Sequence, residues 1–133
     1  MSVRRLIATA VLGGSLLVPL SALAQGDRGS CSLGGMYRVL SVDKYEIQDK
    51  SGYTMERELR GAEVEVAAQP GLTREWLQRR LEMEVANSTC DLGAPNVRVD
   101  VLSSGDRFSV RFSGTDRKTA GAILDHARLF GPQ

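Results

Sequence analysis

The sequence contains few of the residues that usually mark an active site. It has one histidine and two cysteines in 133 residues, and only 5% of its residues are aromatic. The cysteines are too far apart for the Cys-x-x-Cys pair that redox catalysts use, and His126 has no second histidine for a metal site or a catalytic triad. Motifs of serine hydrolases, phosphate-binding loops, zinc proteases and calcium loops are also missing. The sequence therefore predicts a protein that is not an enzyme and that uses no cofactor or metal.

Long hydrophobic runs are scarce as well, and the one at the N-terminus is short. Residues 1–24 combine Arg4 and Arg5, an apolar stretch ending near Leu20, and small residues before Ala24. This stretch is shorter than the roughly 18 to 20 residues that span a bilayer. The pattern predicts a signal peptide cleaved after Ala24 and a periplasmic or secreted protein. The arginine pair leaves the export route open between general secretion and the twin-arginine pathway.

The charge balance gives no indication of a nucleic-acid partner. The whole chain has 17 Lys and Arg against 16 Asp and Glu, and cleavage after Ala24 would remove two arginines and no acid. A nearly neutral chain does not attract polyanions through its overall field. We therefore expect no nucleic-acid binding. Because the apolar run at the N-terminus is short and would be cleaved, we also expect no transmembrane segment in the cleaved protein, although association with a membrane surface stays open.

The two cysteines predict a disulfide. Export would place Cys31 and Cys90 in an oxidising compartment, where such a pair forms a bridge. Residues 25–35 are rich in glycine, serine and charge, which indicates a flexible leader tied down at Cys31. Residues 36–60 show period-two spacing on both sides of a turn signal, which predicts a small N-terminal β meander.

Residues 61–133 have the pattern of an α+β core domain. Ala62–Ala67 alternates as a strand, a helix is expected from Thr73 to Asn87, and a second helix begins at Thr115 or Asp116 after a hairpin. The order strand, helix, strand, strand, helix predicts a split β-α-β-β-α sandwich. Because the crossover is right-handed, the third strand fills the gap between the first two. The expected sheet is antiparallel-rich, has the order 1-3-2, and carries both helices on one face.

The hairpin over residues 97–113 has a predicted register. A two-residue loop at Ser104-Gly105 places Val101 opposite Phe108 and Val99 opposite Val110. On the polar face the same register places Arg98 opposite Arg111. The strand order brings Glu63 and Glu65 beside Arg107 and Arg111, so this face is interpreted mainly as a salt-bridged surface.

Two regions are candidates for binding an unknown protein or envelope partner. The first is the N-terminal segment with Tyr37, Tyr45 and Tyr53, because amphipathic tyrosine rings suit interfaces. The second is the outward side of the second helix around Leu129. The arginines of the polar sheet face form a third candidate, for anions: Arg98, Arg107 and Arg111.

The hairpin ending in Phe112-Ser113-Gly114-Thr115, with a helix on either side, resembles a BON module over residues 73–130. This resemblance implies association with phospholipid surfaces, although the strand that closes the BON sheet has no counterpart after the second helix. The function expected from the residues is that of a small exported, non-catalytic binding or envelope-associated accessory module. One alternative is copper handling through methionine and carboxylate ligands, although Met36, Met55 and Met83 are interpreted first as core fillers. The other is association with anionic lipid through the three arginines.

Overall fold

The computed structural model describes residues 31–50 and 52–132. The four strands are β1 (Val39–Asp49), β2 (Glu56–Ala67), β3 (Arg98–Ser104) and β4 (Arg107–Ser113), and the two helices are α1 (Arg74–Ala86) and α2 (Arg117–Ala127). Short 3-10 turns lie at Ser32–Gly34 and Arg128–Phe130. The predicted signal peptide and residues 25–30 of the predicted leader lie outside the described residues. The predicted α+β class, with an antiparallel sheet and two helices, is confirmed.

All four strands form one antiparallel sheet in the order β1-β2-β4-β3. The order 1-3-2 does not describe the whole sheet and the separate N-terminal meander is wrong, because β1 pairs with β2 along its length and adds a fourth strand. The three predicted strands are β2, β3 and β4, and they lie in the order β2-β4-β3 within this sheet. β2 is one continuous strand of 12 residues, so the expected boundary between residues 60 and 61 falls inside it. The antiparallel pairing of β2 with β4 is present, with Val64 opposite Val110.

The β1–β2 hairpin is longer than the rest of the sheet. Gly61 is opposite Ser113, the last residue of β4, so the hairpin continues beyond this point without a third strand beside it. Its strands carry charged side chains on both faces there, which a two-stranded ribbon in water tolerates. Tyr53 and Met55 are exposed at its tip.

The β3–β4 hairpin has a different register from the predicted one. Ser104 pairs with Arg107, so the two-residue loop is Gly105-Asp106, and Gly105 adopts a positive φ of 60°. The primed turns that suit twisted hairpins need this conformation, and glycine adopts it at little cost. The shift places Val99 opposite Phe112 and Asp100 opposite Arg111. An unlike-charge pair thus replaces the predicted Arg98–Arg111 pair.

Both helices begin where their capping residues predict. The Thr73 hydroxyl accepts a hydrogen bond from the Trp76 N–H at 3.2 Å. The Asp116 carboxylate accepts one from the Thr119 N–H at 2.8 Å. These bonds satisfy N–H groups of the first turn that have no partner within the helix.

The core lies between the sheet and the two helices. Helix α1 packs over β3 and helix α2 over β2, and fully buried side chains such as Val64, Val110 and Phe112 fill the layer between them. The predicted disulfide between Cys31 and Cys90 is confirmed. It ties the first 3-10 turn to the loop after α1. Cys31, Ser32 and Leu33 are buried, so this part of the predicted leader packs against the domain.

Candidate binding surface on the first helix

The four residues predicted to form partner surfaces are spread over the molecule. Tyr37 is half-buried in the segment before β1, near α1, whereas Tyr45 lies on the polar face of the sheet, where the Arg111 guanidinium is 5.0 Å from its ring centroid. Tyr53 is fully exposed at the hairpin tip. Leu129 is 78% exposed in the last 3-10 turn. The three tyrosines therefore do not share one surface.

The three arginines of the predicted anion surface all have carboxylate partners. Arg111 Nε lies 2.6 Å from Glu63 Oε2, and Arg107 Nη1 lies 2.9 Å from Glu65 Oε2. Arg98 Nε is 3.2 Å from Asp100 Oδ2. The hydrogen bonds to these glutamates raise the pKa of Arg107 and of Arg111, so both guanidinium groups stay charged. The polar sheet face is thus a surface of matched charges.

The methionines interpreted as core fillers lie on the surface instead: Met36, Met55 and Met83 are all exposed. Met36 and Met55 flank opposite ends of the β1–β2 hairpin. Since a strand rises about 3.3 Å per residue, roughly 30 Å separates them, and they cannot share one metal ion. Among residues 31–50 and 52–132, no group of three or more His, Cys, Asp or Glu is arranged to hold a metal.

His126 has a packing role. Its ring lies so close to Gly93 that a Cβ atom added there would overlap it. Its Nδ1 is 2.9 Å from the carbonyl oxygen of Ala122, one turn earlier in α2. The side chain is thereby held between its own helix and the loop after α1.

An exposed surface rich in aromatic, sulfur and guanidinium groups lies on α1. Trp76, Arg80 and Met83 follow one another at spacings of four and three residues, which places them on one face of the helix. The Arg80 guanidinium carbon is 5.8 Å from the Trp76 ring centroid, within the range of a cation–π contact. Met36 joins them, because its Sδ is 4.0 Å from Arg80 Nη2. We call these four residues the α1 surface.

The apolar members of the α1 surface are open to solvent. Trp76 is 47% exposed, Met83 59% and Met36 60%. Tryptophan and methionine side chains are mostly buried in folded proteins, so an exposed group of them is informative. Three such side chains gathered around one guanidinium are a patch, and contiguous patches mark binding sites more often than scattered residues do.

A buried carboxylate holds Arg80 in place. Glu84 is only 7% exposed, and its Oε1 accepts a hydrogen bond from Arg80 Nε at 2.7 Å. Its Oε2 accepts bonds from the backbone N–H of Ser32 at 3.1 Å and from the Ser32 hydroxyl at 2.8 Å. Ser32 follows Cys31, so the disulfide and this network together join the first 3-10 turn to α1.

The electrostatics of this network keep both of its ions charged. Burial alone would raise the pKa of the Glu84 carboxyl, but the hydrogen bonds from Arg80 and Ser32 outweigh it and hold that pKa below its usual value. The bond to Glu84 raises the pKa of Arg80. Burial raises the pKa of the nearby Tyr37 hydroxyl, which therefore stays neutral. The guanidinium on the α1 surface is a permanent cation in a fixed position.

Trp76 and Arg80 are not among the site residues predicted from the sequence, and the prediction for α1 includes no exposed stripe beside its core-facing residues. The spacing of Trp76, Arg80 and Met83 was the signal that could have revealed it. Met36 could not have been assigned to it, because it reaches the helix only through the fold of the N-terminal segment.

Comparison with protein-family models, curated proteins and solved structures finds no match to this chain. No helix in the described part of the chain is long and apolar enough to cross a membrane.

Proposed function

We propose that this protein is a small exported, non-catalytic binding module that docks a partner protein of the cell envelope or the extracellular space through the α1 surface. The observation that carries the proposal is the exposed Trp76–Arg80 stack, flanked by two exposed methionines and fixed by the buried Glu84 carboxylate. Tryptophan and arginine dominate the binding energy of protein interfaces, and methionine is enriched there.

The rigidity of the α1 surface supports this function. Binding costs conformational entropy when long side chains become ordered, and Arg80 is already ordered by its bond to Glu84. The Cys31–Cys90 disulfide holds the segment that carries Met36 close to α1. A surface prepared in this way loses less entropy when a partner docks.

The proposed location rests on two observations. The N-terminal sequence has the order of a signal peptide. The Cys31–Cys90 bridge is of a kind that persists outside the reducing cytosol. A periplasmic or secreted protein satisfies both.

The test is in-cell cross-linking followed by isolation of the tagged full chain from its source cells. The wild type is compared with Trp76→Ala and with Leu102→Ala, which truncates an exposed side chain on the opposite face of the sheet. We expect the same cross-linked partner with the wild type and Leu102→Ala. Its recovery should fall about tenfold or more with Trp76→Ala, since hot-spot truncations cost 2 kcal/mol or more.

Circular dichroism of both variants checks that they fold. If Trp76→Ala is folded and retains its partner in the amount seen with Leu102→Ala, the α1 surface is not the docking site. Detection of a turnover activity that His126→Ala abolishes in a folded protein would contradict the non-catalytic assignment.

A second function, association with anionic lipid, is favoured by one observation. Arg79 is exposed beside Arg80 on α1 and has no ion-pair partner among the described residues, so positive charge adjoins the Trp76 ring. Such a combination suits the membrane interface. Sedimentation with phosphatidylserine vesicles tests it: binding that weakens with salt and with Arg79→Gln supports lipid association, and no binding at low salt excludes it.

A further inference from the structure

The free edge of β3 is bridged by a side-chain amide. β3 ends the sheet, with β4 on its other side. Gln78 Nε2 donates a hydrogen bond to the Val99 carbonyl at 2.7 Å, and Gln78 Oε1 accepts one from the Val101 N–H at 2.6 Å. The amide thus satisfies two of the backbone groups that an edge strand otherwise leaves unpaired.

The two hydrogen bonds of the Gln78 amide follow the pattern that a residue of an added parallel strand would form with β3. In a parallel ladder, one residue of the added strand donates to the carbonyl of residue i−1 and accepts from the N–H of residue i+1. Gln78 does the same with Val99 and Val101. One ladder step earlier, the equivalent groups are the Val97 carbonyl and the Val99 N–H. The Val99 N–H lies on the same side of the strand as its carbonyl, away from β4.

A groove lies beside Val97 and Val99, next to the part of the β3 edge that Gln78 does not cover. It has a volume of about 410 Å³, with Val97 and Val99 of the β3 side as one wall and Val85 and Ala86 of α1 as the other. Apolar residues of the loop after α1, including Ala94 and Pro95, complete it. An extended peptide alternates its side chains, so one that paired with β3 would direct every second side chain into this groove, where Val85 and Val97 are among the apolar side chains and Ser88 and Asn96 among the polar ones.

The charged residues that line the groove favour a peptide with a positive charge. Glu82 and Asp91 are its charged lining residues, and neither a lysine nor an arginine of the described chain lines it. Both carboxylates are on exposed residues. A lysine or arginine in the occupant would therefore meet two negative charges at the rim, and an acidic occupant would be repelled.

From this arrangement we infer that β3 and the groove beside it bind an extended segment of a partner protein, which adds to the sheet as a parallel strand and presents a Lys or Arg to Glu82 and Asp91. The Gln78 amide occupies one step of this site and gives way when the segment extends toward Val101. The site is distinct from the α1 surface, and the inference does not depend on the function proposed for that surface.

The experiment uses the disulfide-bonded protein recovered after expression of the full chain. A phage-displayed library of random dodecapeptides is selected against it and counter-selected against the Glu82→Arg/Asp91→Arg variant. We expect enriched peptides that combine alternating aliphatic residues with at least one Lys or Arg. A synthetic copy of the enriched peptide should bind the wild type at least about tenfold more tightly than the double variant, and Gln78→Ala should bind it more tightly still.

Amide chemical shifts in nitrogen-15-labelled protein locate the peptide. The largest changes are expected at Val97, Val99 and Val101, and Trp76→Ala should leave the affinity unchanged. Selection of no peptide over the double variant, or shift changes confined to other strands, overturns the inference. If Gln78→Ala instead dimerises through β3 and binds no peptide, the edge is only protected against a second copy of this chain, and the inference is also overturned.

Discussion

Glu84 and Ser32 are 52 residues apart in the sequence, yet the Glu84 carboxylate accepts hydrogen bonds from both the backbone N–H and the hydroxyl of Ser32. The backbone N–H belongs to the start of a 3-10 turn, where it has no partner within the turn. A carboxylate in that place caps the turn from outside. The same carboxylate positions Arg80, so the stability of the N-terminal segment and the geometry of the α1 surface depend on one side chain.

Replacing this carboxylate tests its contribution to stability. Glu84→Gln keeps the shape of the side chain but removes the charge that strengthens its hydrogen bonds. Hydrogen bonds to charged groups contribute about 1.5–3 kcal/mol, and we expect a loss of this size in the free energy of unfolding measured in urea. Glu56→Gln, at an exposed position where β2 begins, is the control and should change stability by less than about 0.5 kcal/mol. Equal losses in the two variants would show that Glu84 has no special role.

The same carboxylate makes stability depend on pH. The pKa of Glu84 in the folded protein is lower than its ordinary value of about 4.5. The unfolded chain therefore takes up this proton first as the pH falls. The contribution of Glu84 is complete above its unfolded pKa and is lost as the pH drops through its folded pKa. Urea unfolding of the wild type between pH 6 and pH 3 should show this decline, and Glu84→Gln should show a smaller one. A decline of the same size in both proteins would assign the effect to other carboxyl groups.

The disulfide has a separate and larger effect. Cys31 and Cys90 are 59 residues apart, and closing a loop of this length restricts the unfolded chain. The Cys31→Ser/Cys90→Ser variant should unfold with about 2–4 kcal/mol less free energy in urea. Mass spectrometry after alkylation, with and without reduction, establishes the bridge in the wild type. Identical masses under the two conditions would disprove it.

Features that depend on neighbouring residues could be predicted from the sequence. Thr73 and Asp116 cap their helices because a short polar side chain satisfies the free N–H groups directly after it. The alternation of Val64 and Val66 identified a strand with one buried face, and both residues are fully buried. In both cases the residues that determine the structure, a cap and its free N–H groups or the alternating side chains of a strand, lie within a few positions of each other in the sequence.

Distant pairing could be predicted only in part. The expected strand order placed Glu63 and Glu65 beside the arginines of β4, as observed, but the register of the β3–β4 hairpin and the place of β1 could not be predicted. The sequence Ser103-Ser104-Gly105-Asp106 permits two overlapping two-residue loops. The observed one follows from the positive φ of Gly105 and from the pairing of Asp100 with Arg111. β1 was missed as part of the main sheet because its exposed polar residues show no continuous apolar face, and only its pairing with β2 defines it.

The α1 surface could not be predicted from the sequence for a similar reason. Glu84 lies on the buried side of α1, where a carboxylate has no explanation until Ser32 and Arg80 are placed beside it. The helical pattern of α1 could not show that the stripe beside its core-facing residues would be joined by Met36 and left open to solvent.

Gly61 is a position where the fold requires glycine. A Cβ atom there would overlap the backbone carbonyl of Phe112 on the neighbouring strand, and a backbone atom in a sheet cannot move aside. Gly61→Ala should reduce the free energy of unfolding by about 1–3 kcal/mol or more, as overpacking does. Gly35→Ala is the control, because no atom lies within 4 Å of a Cβ added there. Thermal unfolding followed by circular dichroism compares them, and equal midpoints would contradict the predicted overlap.

The paired arginines of the sheet face provide the last test. Glu63 and Glu65 form the shortest ion pairs of Arg111 and Arg107. Glu63→Gln/Glu65→Gln should therefore leave both cations less neutralised, with Asp106 at 3.5 Å from Arg107 and Asp100 opposite Arg111 as their remaining acidic neighbours. Each basic residue near an anionic membrane surface contributes about 1 kcal/mol, so the variant should bind phosphatidylserine vesicles more tightly than the wild type by at most about 2 kcal/mol at low salt. Glu46→Gln/Glu56→Gln on the β1–β2 hairpin makes the same change in net charge away from these pairs. If this control binds vesicles as tightly, net charge explains the gain and the matched pairs do not suppress an anion site.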